Sequence, residues 1–128
     1  MTESGYQKKI IDSIEAIGGI AVNGNFTKAG TADLVCGYPI EVHSLMTNSR
    51  KTYLRHLHVE VKTKHDYERV FKSIEEVDGL YVFKDNIKSL KKHEYLQITK
   101  LNHLRDIGGL GLIAHSFEQV KEYVDGKH

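Results

Sequence analysis

A chain of 128 residues, 40% apolar and 27% charged, is long enough to bury a core and too apolar to be a disordered tail. Its net charge of +1 neither requires nor excludes a polyanionic partner, because the placement of charge decides that. One cysteine, Cys36, excludes an intramolecular disulfide and a thiolate metal cluster within the chain, and its apolar setting "ADLVCGY" fits a buried, inert thiol.

The first element is expected to be a helix over about residues 5–17. Ser4-x-x-Gln7 has the form of a capping box, Tyr6, Ile10, Ile11, Ile14 and Ile17 recur at helical spacing, and Gly18-Gly19 supplies a stop. "GIAVNGN" reads as a short strand ending in a turn, and "FTKAGTA" as a small-residue approach to the buried strand "DLVCGY". Pro39 is expected to start a further extended piece, "IEVHSLM". The polar turn "TNSRKTY" and the long strand "LRHLHVEVKTK" follow. "DYERVFKSIEEV" carries a helical pattern through Tyr67, Val70, Phe71 and Ile74. In the next segment "LYVF" reads as a possible strand, and its lysine-rich remainder as a loop or short helix.

Ile98, Leu101, Leu104 and Ile107 then form a helical stripe closed by Gly108-Gly109. "LGLIA" is a buried strand, and Ser116-x-x-Gln119 opens a final helix through Val120 and Val124. The succession implies an α/β architecture, a central mixed sheet flanked by helices. No apolar run reaches membrane-spanning length, and "MTESGYQKK" lacks the apolar core of a signal peptide. A cytoplasmic location and no membrane partner are therefore expected.

Residue parity makes "HVEVKT" the informative stretch. His56, His58, Glu60, Lys62 and Lys64 share one face of an extended chain; Leu57, Val59, Val61 and Thr63 share the other. Taken alone, Glu60 and Lys62 are a surface ion pair. Asp33, opening its strand after "KAGTA", changes that balance. Two carboxylates hold a divalent cation, and a nearby lysine orients water or stabilises charge on phosphorus. His56-x-His58 has spacing that permits zinc binding but lacks further ligands fixed by sequence, so DNA contact or solvation is the plainer reading. Lys28, Arg50, Lys51, Arg55, Lys62 and Lys64 would line a cleft around Asp33, and "KSLKK" is either a phosphate-contacting loop or a solvated run. No nucleophile–base arrangement and no phosphate-cradling glycine motif stands out, so no small-molecule cofactor is expected.

"GTAD" followed by "EVK" on a strand resembles the PD-(D/E)XK restriction-like nucleases. The order of elements is most similar to small VRR-NUC-type phage and bacterial endonucleases. The likeness covers residues 4–35, 59–63 and 96–124, with Gln7 in the place of the first-helix polar residue. Gly30 and Asp33 match Gly-x-x-Asp, Glu60 and Lys62 match Glu-x-Lys, and Gln97 resembles a later glutamine. Ala32 stands where a proline is common, and Gln7 where many relatives have glutamate.

The resemblance implies a restriction-endonuclease-like core spanning 1–128, with a hairpin extension at about 39–57 and a variable insertion at about 66–95. It implies hydrolysis of DNA phosphodiesters, including branched or structured DNA, with Mg2+ or Mn2+. Asp33, Glu60 and the Val61 carbonyl would ligate the metal, Lys62 would activate water, and Gln7 would assist. Lys28, Lys64, Arg55 and Gln97 would contact nucleic acid. A homodimer in a bacterial or phage-infected cell is the implied setting. The alternatives are a non-catalytic nucleic-acid-binding or assembly module with this fold, and an RNA-processing nuclease.

Overall fold

The computed structural model describes residues 2–24, 33–84 and 89–127. Gly30 and Lys28, and Lys88 of "KSLKK", lie outside the described residues. The elements in chain order are α1 (Glu3–Ala16), β1 (Ile20–Asn23), β2 (Leu34–Ser44), β3 (Ser49–Val61) and α2 (Lys64–Val70). Then follow β4 (Ile74–Val77), β5 (Leu80–Phe83), α3 (Lys92–Asp106), β6 (Leu110–Ala114) and α4 (Phe117–Asp125).

Four strands form a mixed sheet in the order β1-β2-β3-β6, antiparallel except for the parallel β3–β6 pair. The expected α/β layering is therefore present. Leu57, Val59 and Val61 of β3 join Leu34, Leu112 and Ala114 in a core with Ile10 and Ile14 of α1 and Val120 and Val124 of α4. Ile113 belongs to a second core with Val70, Ile74, Tyr81, Ile98 and Leu101, so the β6 side of the sheet is covered twice. That explains why every residue of β6 is buried, and why β3 turns from exposed to buried where it runs beside β6. Cys36 is buried as expected, and burial pushes its thiol up to about 12, which leaves it unreactive at neutral pH.

Both helix–Gly-Gly–strand joints have one geometry. Gly18 and Gly108 adopt φ of +92° and +91°. The next glycine's N–H reaches back to Ile14 O at 2.9 Å, or to Leu104 O at 2.8 Å, a paired closure that needs glycine at the left-handed position. A Cβ on Gly19 would sit 2.7 Å from the Gly37 carbonyl oxygen, a backbone atom that cannot swing aside. Gly19→Ala is expected to destabilise the protein by about 1–3 kcal/mol. Thermal denaturation checks this, and an unchanged Tm would mean that the α1–β1 joint yields freely.

Three expectations about elements need correction. The helix α1 begins at Glu3, two residues before the expected start, because Thr2 is its cap: Thr2 Oγ1 accepts from Gly5 N at 3.2 Å. Pro39 does not start a new piece, since β2 runs through it. β1 pairs with β2 only as far as Gly37, so the missing N–H of Pro39 falls beyond the β1 ladder. The helical pattern of "DYERVFKSIEEV" stops at Val70, and Ile74 enters the β4–β5 hairpin instead. The cause is local: Asp78 and Gly79 have φ of 52° and 81°, a two-residue turn that twists its flanking strands together. The possible strand "LYVF" is β5.

At the end of the chain, Ser116 Oγ accepts from Gln119 N as a capping box requires. Gln119 Oε1, however, accepts from His115 N, one residue before the cap. Beyond Gly37 and before Leu57, β2 and β3 pair only with each other around a turn at residues 45–48, within the stretch read as a hairpin extension. No helix among the described residues is long and apolar enough to cross a membrane.

Candidate metal centre

The register Leu34↔Val59 sets Asp33, just before β2, opposite Glu60 on β3. Both side chains therefore project to one face of the sheet. Asp33 Oδ2 accepts from the Val61 N–H at 3.0 Å, which pins that carboxylate against the strand end. Glu3, in the first turn of α1, completes the group: Glu3, Asp33 and Glu60 each present an oxygen within 4.8 Å of the others. Glu60 is 1% exposed, and its Oε2 has no hydrogen-bond partner among the described residues.

That arrangement is electrostatically costly as it stands. Burial, and then the charge of Asp33, push the Glu60 carboxyl up to about 9, with Lys62 opposing. Glu3 is also raised, first by burial and then by Asp33. Closely packed carboxylates at a strand end carry charge that protons or a cation must balance. A hard divalent cation with oxygen ligands fits the donor set, and the orphaned Oε2 of Glu60 is the atom it would satisfy.

Lys62, 7% exposed, lies between two acids. Its Nζ is 3.9 Å from Glu60 Oε1 and 3.2 Å from Glu94 Oε2 on α3. Gln97 Oε1 accepts from it at 3.4 Å. Glu94 is itself fixed by both ends of the Arg69 guanidinium, at 2.9 and 2.8 Å, and by the Lys91 N–H at 2.8 Å. Burial would raise its carboxyl, but Arg69, the Lys91 N–H and Lys62 together bring it down to about 2. Lys62 is thus held toward α3 by an ionised carboxylate, with Glu60 at the far edge of its reach.

Asp33, Glu60, Lys62 and Gln97, picked from sequence, are brought together. Val61 enters the group through its N–H. Gln7 follows Glu3 by one helical turn, on the same face of α1. Other candidates lie elsewhere. Lys64 does not continue the polar face of β3, because Thr63 caps α2 and Lys64 is its first, exposed residue. Arg55 has the parity of Leu57 and Val59, opposite to Glu60, and donates to the Lys127 carbonyl at 3.0 Å. Lys28 is outside the described residues.

Two members of the group escaped the sequence reading. Glu3 was hidden by placing the cap at Ser4; a threonine followed by an acid in a first turn is the signal that marks it. Glu94 had no local signal, since only packing of α3 on β3 brings it to Lys62. Comparison with family models, curated proteins and solved structures found no match, so the assignment of a function rests on this geometry and on the motif spacing.

Proposed function

We propose that the chain is a divalent-metal-dependent endonuclease of the PD-(D/E)XK, restriction-like class, acting on DNA phosphodiester bonds. The observation that carries this reading is the meeting of Glu3, Asp33 and Glu60 at a strand end, with Lys62 two residues beyond Glu60. Supporting it is the order of elements: a helix, an antiparallel β1–β2–β3 meander, and a parallel β6 between α3 and α4.

Asp33 and Glu60 would hold Mg2+ or Mn2+, with Glu3 and the Val61 carbonyl as further oxygen donors. The bound ion supplies Lewis acidity at a phosphate oxygen and an acidified water. Water oxygen forms the new bond to phosphorus as one ester P–O bond breaks, and the leaving oxygen takes a proton. The Lys62 ammonium would offset the charge that builds on the phosphoryl oxygens. Gln97 and Glu94 fix the direction of that ammonium. Gln7, one helical turn after Glu3, would orient water. A homodimer would supply two such sites for two strands.

The test is incubation of purified protein with supercoiled, linear, branched and single-stranded DNA, and with RNA, with and without Mn2+. Metal-dependent DNA cleavage that falls about 100-fold or more in Asp33→Ala supports the reading. Cleavage confined to RNA would reassign the substrate. Binding without cleavage of any nucleic acid would identify a non-catalytic module instead.

A further inference from the structure

His56 and His58 sit two residues apart on β3, on the face shared with Glu60. Their rings do not lie side by side as solvated neighbours. The Nε2 atoms are 2.7 Å apart, and the rings are tilted by 58° with centroids 4.7 Å apart. The two rings therefore bring the same nitrogen together at hydrogen-bond distance. The backbone below is held by the sheet, His58 being paired with Val35 in β2 and Gly111 in β6, and His56 with Gly37. Two rings meeting on a strand that is paired at both positions, and on both sides at His58, have a preorganisation that a loop pair would lack.

We propose that His56 and His58 form a nitrogen-ligated site for a transition-metal dication, separate from the carboxylate cluster. Two nitrogens each about 2.0–2.1 Å from one ion and at right angles to each other stand about 2.9 Å apart, whereas a tetrahedral angle needs about 3.4 Å. The observed spacing fits adjacent positions of a square-planar or octahedral ion. Ni2+ and Cu2+ thus suit it better than Zn2+. Toward β6, a Cβ on Gly111 would meet the side chains of Leu101 and Leu104 before the His58 carbonyl oxygen, so that flank is mainly apolar. The carboxylate cluster of Glu3, Asp33 and Glu60 includes no histidine.

Proton balance is simple. Without an ion, one neutral ring donates its Nε2–H to the other Nε2. On binding, that proton moves through solvent to Nδ1 of the same ring, both Nε2 lone pairs turn to the ion, and no proton is lost overall. His56 is exposed, so water fills the remaining positions. The strand rises about 3.3 Å per residue, which puts the pair roughly one pleat repeat from Glu60. An ion here would stand beside the carboxylates without sharing a ligand with them.

The experiment uses the full chain without an affinity tag and titrates Ni2+ calorimetrically with millimolar Mg2+ present. The proposal expects one Ni2+ per chain at micromolar concentration. It also expects at least a 10-fold loss of affinity in His56→Ala and in His58→Ala, with no change in Glu60→Gln. Cu2+ should give an electron paramagnetic resonance spectrum split by two equivalent nitrogens. In wild-type protein, Ni2+ should broaden the NMR signals of His56 and His58 first, a readout that does not depend on the variants folding. Uptake only at millimolar Ni2+, wild-type affinity in the double alanine variant, or broadening centred on another histidine overturns the proposal. None of these outcomes depends on whether the carboxylate cluster cleaves nucleic acid.

Discussion

Glu60→Gln is expected to leave the protein without added cation at least as stable as wild type near pH 8 and, on the proposed function, to remove metal-dependent cleavage and any stabilisation by Mg2+ or Mn2+. The reason is proton linkage. The Glu60 carboxyl, ordinarily near 4.5, is pushed up to about 9 by burial first and Asp33 second. Between those values the unfolded chain has released the proton and the folded chain still holds it. Its contribution to stability is therefore full below about 4.5 and falls as pH rises toward 9. Glutamine has the shape of the protonated acid and does not titrate, so the variant escapes that decline.

In the proposed function a cation would replace the proton. Its stabilising effect on wild type should accordingly be larger at pH 8 than at pH 6, reaching about 2.7 kcal/mol at a hundredfold excess over Kd. Thermal melts with and without Mg2+ at the two pH values check this. A Glu60→Gln protein that melts well below wild type at pH 8 without cation would show that Glu60 has a purely structural partner. One that still gains stability from Mg2+ would place the cation elsewhere.

Glu94→Ala should be among the most destabilising single changes, by about 3–5 kcal/mol and roughly 10–20 °C in Tm. Glu94 is 1% exposed and joins Arg69 and Lys62. Its removal takes the nearest carboxylate from two cations, leaving Arg69 with Asp66 and the almost fully buried Lys62 with Gln97 and the more distant Glu60. The sign with pH is opposite to that of Glu60. With its carboxyl down at about 2, against an ordinary 4.5, the unfolded chain takes the proton first as pH falls. The stabilisation is complete above about 4.5 and disappears as pH drops toward 2. The gap between wild type and Glu94→Gln should therefore narrow in acid, measured by denaturant midpoints at pH 7 and pH 3. A gap that stays constant would assign the effect to shape and not to charge. If cleavage is established, the same Glu94→Gln variant should lower kcat more than it raises KM, because it frees the Lys62 ammonium from its set direction.

Much of the scaffold was legible because its signals are local. Apolar spacing and a terminal glycine pair mark α1 and α3, and an unbroken apolar run marks β6. Parity along β3 separated the core residues Leu57, Val59 and Val61 from Glu60 and Lys62, and Asp33 at a strand start identified a partner for them. Where the reading slipped, two local signals competed. Helical spacing through Ile74 hid the Asp78-Gly79 turn, and Ser4-x-x-Gln7 hid the cap at Thr2. The second slip had a consequence for the site, since moving the start of α1 back by two residues is what admits Glu3.

Sequence alone thus determined which residue types occupy which strand faces, and with them the carboxylate–lysine pair on β3. Tertiary structure alone decided that Glu3 joins that pair and that Lys62 leans toward Glu94. It also decided that Arg55 is tied to the Lys127 carbonyl and that two histidine nitrogens meet. Periodicity follows from the backbone of one element, whereas side chains converge only when elements distant in sequence pack together, as Lys62 and Gln97 do across 35 residues.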